Sequence, residues 1–313
     1  MGKATREAYG EALRELGEKN KNIVVLDADL SKSTKTNLFA KAHPERFFNV
    51  GIAEQNMLGT AAGLAAAGKT PFVSSFAMFA TGRAYEQIRN SICYPNLNVK
   101  IAATHAGLTV GEDGASHQAI EDISLMRTIP NMTVIVPADA TEAHQAVAFA
   151  AEHQGPVYLR LGRMSVADVF GSDYTFCYGK AVQLAEGKDV TLIATGVMVP
   201  EARLAAEELI KSGVTARVLN IHTIKPIDRE AVVAAARETG AIVTCEEHSI
   251  YGGLGSAVAE VLVENYPVPM ERVGVLDVFG ESGTPRDLLI KYHLTASDIV
   301  SAAKKVISRK NAK

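Results

Sequence analysis

The sequence predicts an α/β protein of two domains, each a mostly parallel sheet flanked by helices. Three observations carry that expectation. Short apolar or β-branched runs alternate with stretches of helical period, as in parallel sheets with crossover helices. The alternation stops once, in a polar, tyrosine-bearing stretch after Gly162, and then restarts. A chain of 313 residues is long enough for two cores of ordinary size. The expected organisation is a first domain over 1–165, a linker over 166–187 and a second domain over 188–313.

Composition narrows the function classes. A formal net charge of −3, with acids and bases interspersed, offers no broad basic face for nucleic acid. The longest apolar run is too short and glycine-rich to span a membrane, and the N-terminus lacks a charged-then-apolar signal pattern. Cys93, Cys177 and Cys245 are odd in number and without CxxC spacing, which suits a reducing cytoplasm better than a disulfide framework or a zinc site.

In chain order, Ala4 to Lys19 repeats apolar residues at helical spacing and opens the fold as an amphipathic helix. Asn22 to Leu26 is a strand ending at Asp27-Ala28-Asp29 and the turn Ser31 to Thr34. Carboxylates and hydroxyls at the end of a buried parallel strand stand where open α/β sheets bind ligands, although Asp29 and Ser33 also suit a cap or turn. Next comes Phe47 to Gly68, a short apolar run that opens into a helix of small residues with Glu54 in its first turn. This helix has no polar face, so burial on all sides is expected, by its own domain or by a partner chain. Glu54 then enters a low-dielectric place, where a carboxylate is either paired or protonated and able to share its proton with a ligand, unless it only complements the helix start.

Pro71 to Ser75 reads as a strand leading to Phe76, Phe79, Arg83, Tyr85 and Gln87. Phe76 and Phe79 lie three apart, a spacing that serves a core or a stacking wall for a flat heteroaromatic ligand. Asn98 to Thr104 is a strand that delivers His105. The segment from His105 to Gln118 places His105 and His117 about Glu112-Asp113 among glycines, and is expected to be a surface loop with the residue types for proton transfer. A metal site is discounted there for want of a short-spaced histidine pair or a cysteine. A helix over 120–127, a strand over 132–136, a helix over 141–152 and a strand over 156–161 follow. The last carries Arg160 and Arg163 at its exit, either of which suits a phosphate or an exposed loop.

Beyond the linker, strands are expected at 190–194, 216–221, 241–245 and 273–277, with helices at 200–211, 229–237, 254–264, 285–292 and 297–307. The turns ATGVMVPEA and YGGLGSAV look like nucleotide or phosphate loops but complete neither GxGxxG nor GxxxxGK[ST], so both read as tight strand-to-helix turns.

IAEQN, the SFAMF aromatic pair and HAGLTVGEDGASHQ, in this order, resemble the pyrimidine-binding domain of a transketolase, and TREAYG, DADLSKST and EEHSIYGGLG extend the resemblance over the whole chain. The resemblance implies a thiamine diphosphate enzyme of the cytoplasmic pentose phosphate pathway that transfers a two-carbon ketol unit between ketose and aldose phosphates. By that resemblance, Glu54 would hydrogen-bond the aminopyrimidine ring and favour the tautomer that takes the thiazolium proton. Phe76 and Phe79 would be the stacking wall, with Asp29 and His117 also against the cofactor. His105 and His117 would face the sugar near the reactive carbon, Asp113 would read a hydroxyl, and Arg6, Ser33 and Arg163 would hold the phosphate, Arg163 being preferred to Arg160.

The departure from the family is equally informative: no GDG motif with a following asparagine, which would hold the diphosphate and Mg²⁺, is present, so no metal ligands are assigned to this chain. The expectation is a C-terminal subunit of a split transketolase that works with an N-terminal, diphosphate-binding subunit. It would self-associate through the pyrimidine domain as part of a heterotetramer. The β subunit of a 2-oxo acid dehydrogenase, a deoxyxylulose-phosphate-synthase-like enzyme and a non-catalytic regulatory subunit are the competing readings.

Overall fold

The computed structural model describes residues 2–312, so Met1 and Lys313, the outermost residues of the expected domains, lie outside it. Its strands are β1 (Ile23–Asp27), β2 (Phe47–Asn49), β3 (Thr70–Ser74), β4 (Lys100–Ala103), β5 (Thr133–Ile135), β6 (Val157–Arg160), β7 (Val182–Ala185), β8 (Val190–Ala194), β9 (Ala216–Asn220), β10 (Thr223–Lys225), β11 (Ile242–Ser249) and β12 (Met270–Val275). They form a seven-stranded sheet in the order β10-β5-β6-β4-β3-β1-β2 and a five-stranded sheet in the order β12-β11-β8-β9-β7. Only the edge pairs β10·β5 and β7·β9 are antiparallel, so the expected pair of mostly parallel sheets is present.

The strands are near-continuous apolar runs because both faces of each sheet are covered. On β1, Ile23 and Val25 face the helices Thr5–Lys19 and Ala140–Glu152, together with Phe72, Ala102, Val157 and Leu159. Val24 and Leu26 face the opposite way, against Met57, Leu58 and Ala61 of the helix Glu54–Ala66. In the second sheet, Leu192, Val218 and Val243 pack beneath the helices Met198–Lys211 and Ala296–Asn311. The first core continues across the domain junction, where Ile193, Leu219 and Ile221 join Val134 and Val136.

Two local expectations are corrected, and a third is half met by the single chain. The stretch expected to be a period-free linker carries β7 and lies tightly along the first domain: Asp139 accepts the backbone N–H groups of Val169 and Phe170 at 2.7 and 2.8 Å, and the Tyr174 hydroxyl donates to Glu142 at 2.7 Å. The Glu54 helix buries one face within its own domain and leaves the other open, as burial by a partner chain would require. Gln55, Asn56, Gly59, Thr60 and Gly63 are exposed in the single chain, and a Cβ added at Gly59 or Gly63 would touch nothing. The segment 108–113 is not a free surface loop but a short helical turn, in which Leu108 to Gly111 are buried beneath the second domain.

Candidate active site

The site follows from strand order. β6, β4, β3, β1 and β2 are neighbours and run parallel, so the residues after each strand line one edge of the sheet, where open α/β sheets bind ligands. In that row stand Arg163, His105, Phe76, the Asp29–Ser33 turn and Glu54.

Glu54 opens its helix after Gly51, which has a φ of 74° with open space around it. Its side chain is 1% exposed, and Arg83 Nη1 donates to Oε2 at 2.7 Å while Ser75 Oγ donates to Oε1 at 3.3 Å. In the single chain the carboxylate is therefore paired with Arg83. Arg83, whose side chain is 49% exposed, lies over the Phe79 ring at 4.7 Å. Phe79 is stacked beside Phe76, with centroids 6.1 Å apart and planes 15° apart. Phe79 and Arg83 belong to a π-helical turn, Met78–Arg83, rather than to an α-helix, a wider winding often found at functional sites.

His105 continues the aromatic wall, with its ring 3.8 Å from that of Phe76 at 19°. Its φ of 57° turns the chain sharply at the end of β4. Burial, reinforced by Arg6, Arg163, His117 and Lys35, pushes its pKa down to about 3, so the ring is neutral. Arg6 Nη1, which can only donate, approaches Nε2 at 3.3 Å, so Nδ1 carries the proton and donates to Thr104 Oγ1 at 2.8 Å. His117 stands edge-on to Phe79 and Phe76, at centroid distances of 5.2 and 6.1 Å. Arg6 also donates to the Ser33 carbonyl at 2.9 Å. Glu54, Phe76, Phe79, His105, His117, Arg6 and Ser33 thus form one continuous set.

The remaining candidates lie around it. Arg163 donates to the Val110 carbonyl and to Glu112 Oε2, the latter at 2.9 Å, and has Asp113 at 4.0 Å. Asp29 is exposed and held to Asn49, which donates to its Oδ1 at 3.0 Å. The buried carboxylate of that turn is instead Asp27, which accepts from Thr34, Thr36 and the Leu30 N–H at 2.7, 2.8 and 2.6 Å. Arg160 is not free for a ligand: it is buried against Asp122 at 2.7 and 3.1 Å and also donates to the Ala119 and Glu247 carbonyls. No group of three or more His, Cys, Asp or Glu among the described residues is arranged to hold a metal ion. The apparent phosphate loop YGGLGSAV is already filled, because Glu246 accepts the Leu254 and Gly255 N–H groups at 2.7 and 2.8 Å.

Sequence reasoning noted Arg83 but not its pairing with Glu54, and it missed Thr104 and Ser75. Chain spacing carries no signal for these partners, since β3 and β4 bring them in from the sheet. The arrangement offers a flat aromatic wall, a buried carboxylate at one edge and a neutral imidazole at the other, which fits an aminopyrimidine ring stacked and hydrogen-bonded at its rim.

Comparison with known proteins identifies the family. Residues 1–168 match the family model of the transketolase pyrimidine-binding domain, and residues 179–299 that of the transketolase C-terminal domain. The chain is 53% identical to the putative transketolase C-terminal section of Methanocaldococcus jannaschii, over 95% of this chain and 94% of that one. It is 49% identical to the 6-deoxy-6-sulfo-D-fructose transketolase subunit SqwH of Clostridium sp., over 98% and 95%. A solved structure described as a split-gene transketolase in an inactive β4 tetramer superposes with a TM-score of 0.93 at 63% identity, covering 99% of this chain and 100% of that one.

Proposed function

The chain belongs to the transketolase family, and from that premise we propose that it is the pyrimidine-binding subunit of a two-chain transketolase acting on sugar phosphates. The observation that carries the reading is the Phe76–Phe79 wall, with buried Glu54 held beside it through Arg83 and neutral His105 stacked beyond it. When bound, thiamine diphosphate supplies the carbon nucleophile that accepts and passes on the two-carbon unit. Glu54 holds the proton at the ring nitrogen, and its burial keeps water from competing for it. Phe76 and Phe79 orient the ring. His105, with its Nε2 held by Arg6, and His117, a second imidazole from the facing loop, would meet the sugar near the reactive carbon. Asp113 would read a substrate hydroxyl, and Asp29 would lie near the thiazolium side of the cofactor.

Diphosphate and Mg²⁺ binding falls to a partner subunit, because this chain carries no motif for them. Two relatives support a divided enzyme by their descriptions, one as a subunit and one as an inactive assembly of β chains alone. The exposed Gly59–Gly63 face of the Glu54 helix suits close approach of a second copy, giving a heterotetramer with two diphosphate-binding chains. A cytoplasmic place in the pentose phosphate pathway completes the reading.

Arg6, Arg163 and the Ser33 turn form the cationic end that meets the sugar phosphate. One relative is named for a sulfonated sugar, so the anion is the feature to test. The experiment is a ketol-transfer assay on this chain mixed with a diphosphate-binding subunit. Transfer is expected only in the mixture. Arg163→Ala is expected to weaken phosphorylated ketoses by roughly 10- to 100-fold, the scale of a charge-assisted hydrogen bond, and unphosphorylated analogues far less. An equal loss for both would leave Arg163 holding Val110 and Glu112 only.

A further inference from the structure

The segment that carries His105 and His117 is built against the second domain, and one buried carboxylate belongs to that contact. Glu247, at the end of β11, is 3% exposed, and its Oε1 accepts the Thr109 N–H at 2.5 Å. Its backbone carbonyl accepts from Arg160 Nη2 at 3.0 Å, which fixes the strand from which the carboxylate extends. Gly107, with a φ of 81°, lies flat on this carboxylate, and any Cβ there would collide with both of its oxygens. Gly107 also donates its N–H to the Ala119 carbonyl at 2.8 Å, so the loop closes on itself directly over Glu247. Gln118, at the far end of the loop, donates to the Leu108 carbonyl at 3.1 Å and to the Glu281 carbonyl of the second domain at 2.9 Å. Burial pushes the Glu247 carboxyl up to about 7, yet the group sits outside the aromatic wall and makes no contact with His105, His117 or Glu54.

A buried carboxylate costs free energy unless it serves a partner. Here its carboxylate accepts one backbone N–H, from the segment between the two histidines. We infer that Glu247 is a positioning residue of the second domain that sets the height of the 105–117 segment over the site, so that this domain acts in substrate recognition rather than only in packing. The inference rests on the proposed function for the identity of the substrate but not for the contact itself. A shift of the segment by about 1 Å would move His117 away from the aromatic edge, and misplacement on that scale costs up to about 100-fold.

The test uses the assembled enzyme with its diphosphate-binding partner and three variants. Glu247→Asp keeps the buried charge and withdraws the acceptor by one CH₂. It is expected to raise amide exchange at Thr109–Gly111 and the KM for a ketose phosphate by about tenfold each, with thiamine diphosphate affinity unchanged within about twofold. Glu247→Gln keeps an acceptor oxygen at full length and is expected to restore most of the protection and the KM. Glu247→Ala is expected to exceed Glu247→Asp in both. Wild-type protection and KM in the Asp variant would overturn the inference, as would equal losses of cofactor and substrate affinity. If the wild-type assembly transfers no ketol unit, the proposed function fails, while amide exchange in the same three variants still decides whether Glu247 holds the segment.

Discussion

Glu54→Gln in the assembled enzyme is expected to lower ketol transfer, and exchange of the thiazolium proton of bound cofactor, by about 10²- to 10⁴-fold, the range of a lost general acid or base. The substitution keeps size and leaves an oxygen able to accept from Arg83, so the helix start and the assembly remain intact. It removes the buried carboxyl at the edge of the aromatic wall that could hold or share a proton at a ring nitrogen. Exchange followed by NMR after acid quench reads the effect, and sedimentation confirms assembly. Exchange at the wild-type rate in a fully assembled variant would remove Glu54 from that role.

The second large effect concerns stability. Asp122 is fully buried, and Arg160 and the Tyr158 hydroxyl donate to it, the latter at 2.6 Å. Burial alone would raise the Asp122 carboxyl, but the adjacent Arg160 guanidinium holds it below the usual carboxylate range. Asp122→Asn leaves the buried Arg160 cation unpaired, and breaking one side of such a pair costs about 3–5 kcal/mol. The loss is read as a shift of the denaturant midpoint at pH 7. Replacing both residues by apolar ones of similar volume is expected to cost less than the single change, because no uncompensated charge remains. A single variant within about 0.5 kcal/mol of the wild type would mean that water or another carboxylate, such as Glu247, takes over the cation.

Most of the fold was legible because the strands are covered on both faces and so announce themselves as unbroken apolar runs: Ile23–Leu26, Val190–Ala194 and Ile242–Cys245 need no partner to be recognised. The strands that escaped notice are short edge pieces, β2, β7 and β10, whose existence depends on a neighbour. Thr223–Lys225 is a strand only because β5 of the other domain lies beside it. The chemistry-bearing residues were legible as types, since Glu54, the paired phenylalanines and the two histidines stand out in a chain with few aromatics. Their partners were not. Arg83 reaches Glu54 across 29 positions and Glu247 reaches Thr109 across 138, distances that only the sheet order closes. The 105–118 segment looked exposed because it is rich in glycine and acids. In the structure Gly107, Gly111 and Gly114, all at positive φ, let the backbone lie against the second domain.

The central claim is that this chain holds half of a thiamine diphosphate site. The most direct test is calorimetric titration of thiamine diphosphate with Mg²⁺, first into this chain alone and then into its mixture with a diphosphate-binding subunit. The account predicts weak or no heat of binding with the chain alone and a saturable transition in the mixture. Tight, Mg²⁺-dependent binding by this chain alone would contradict it, because the diphosphate would then be held by residues that the present site does not contain.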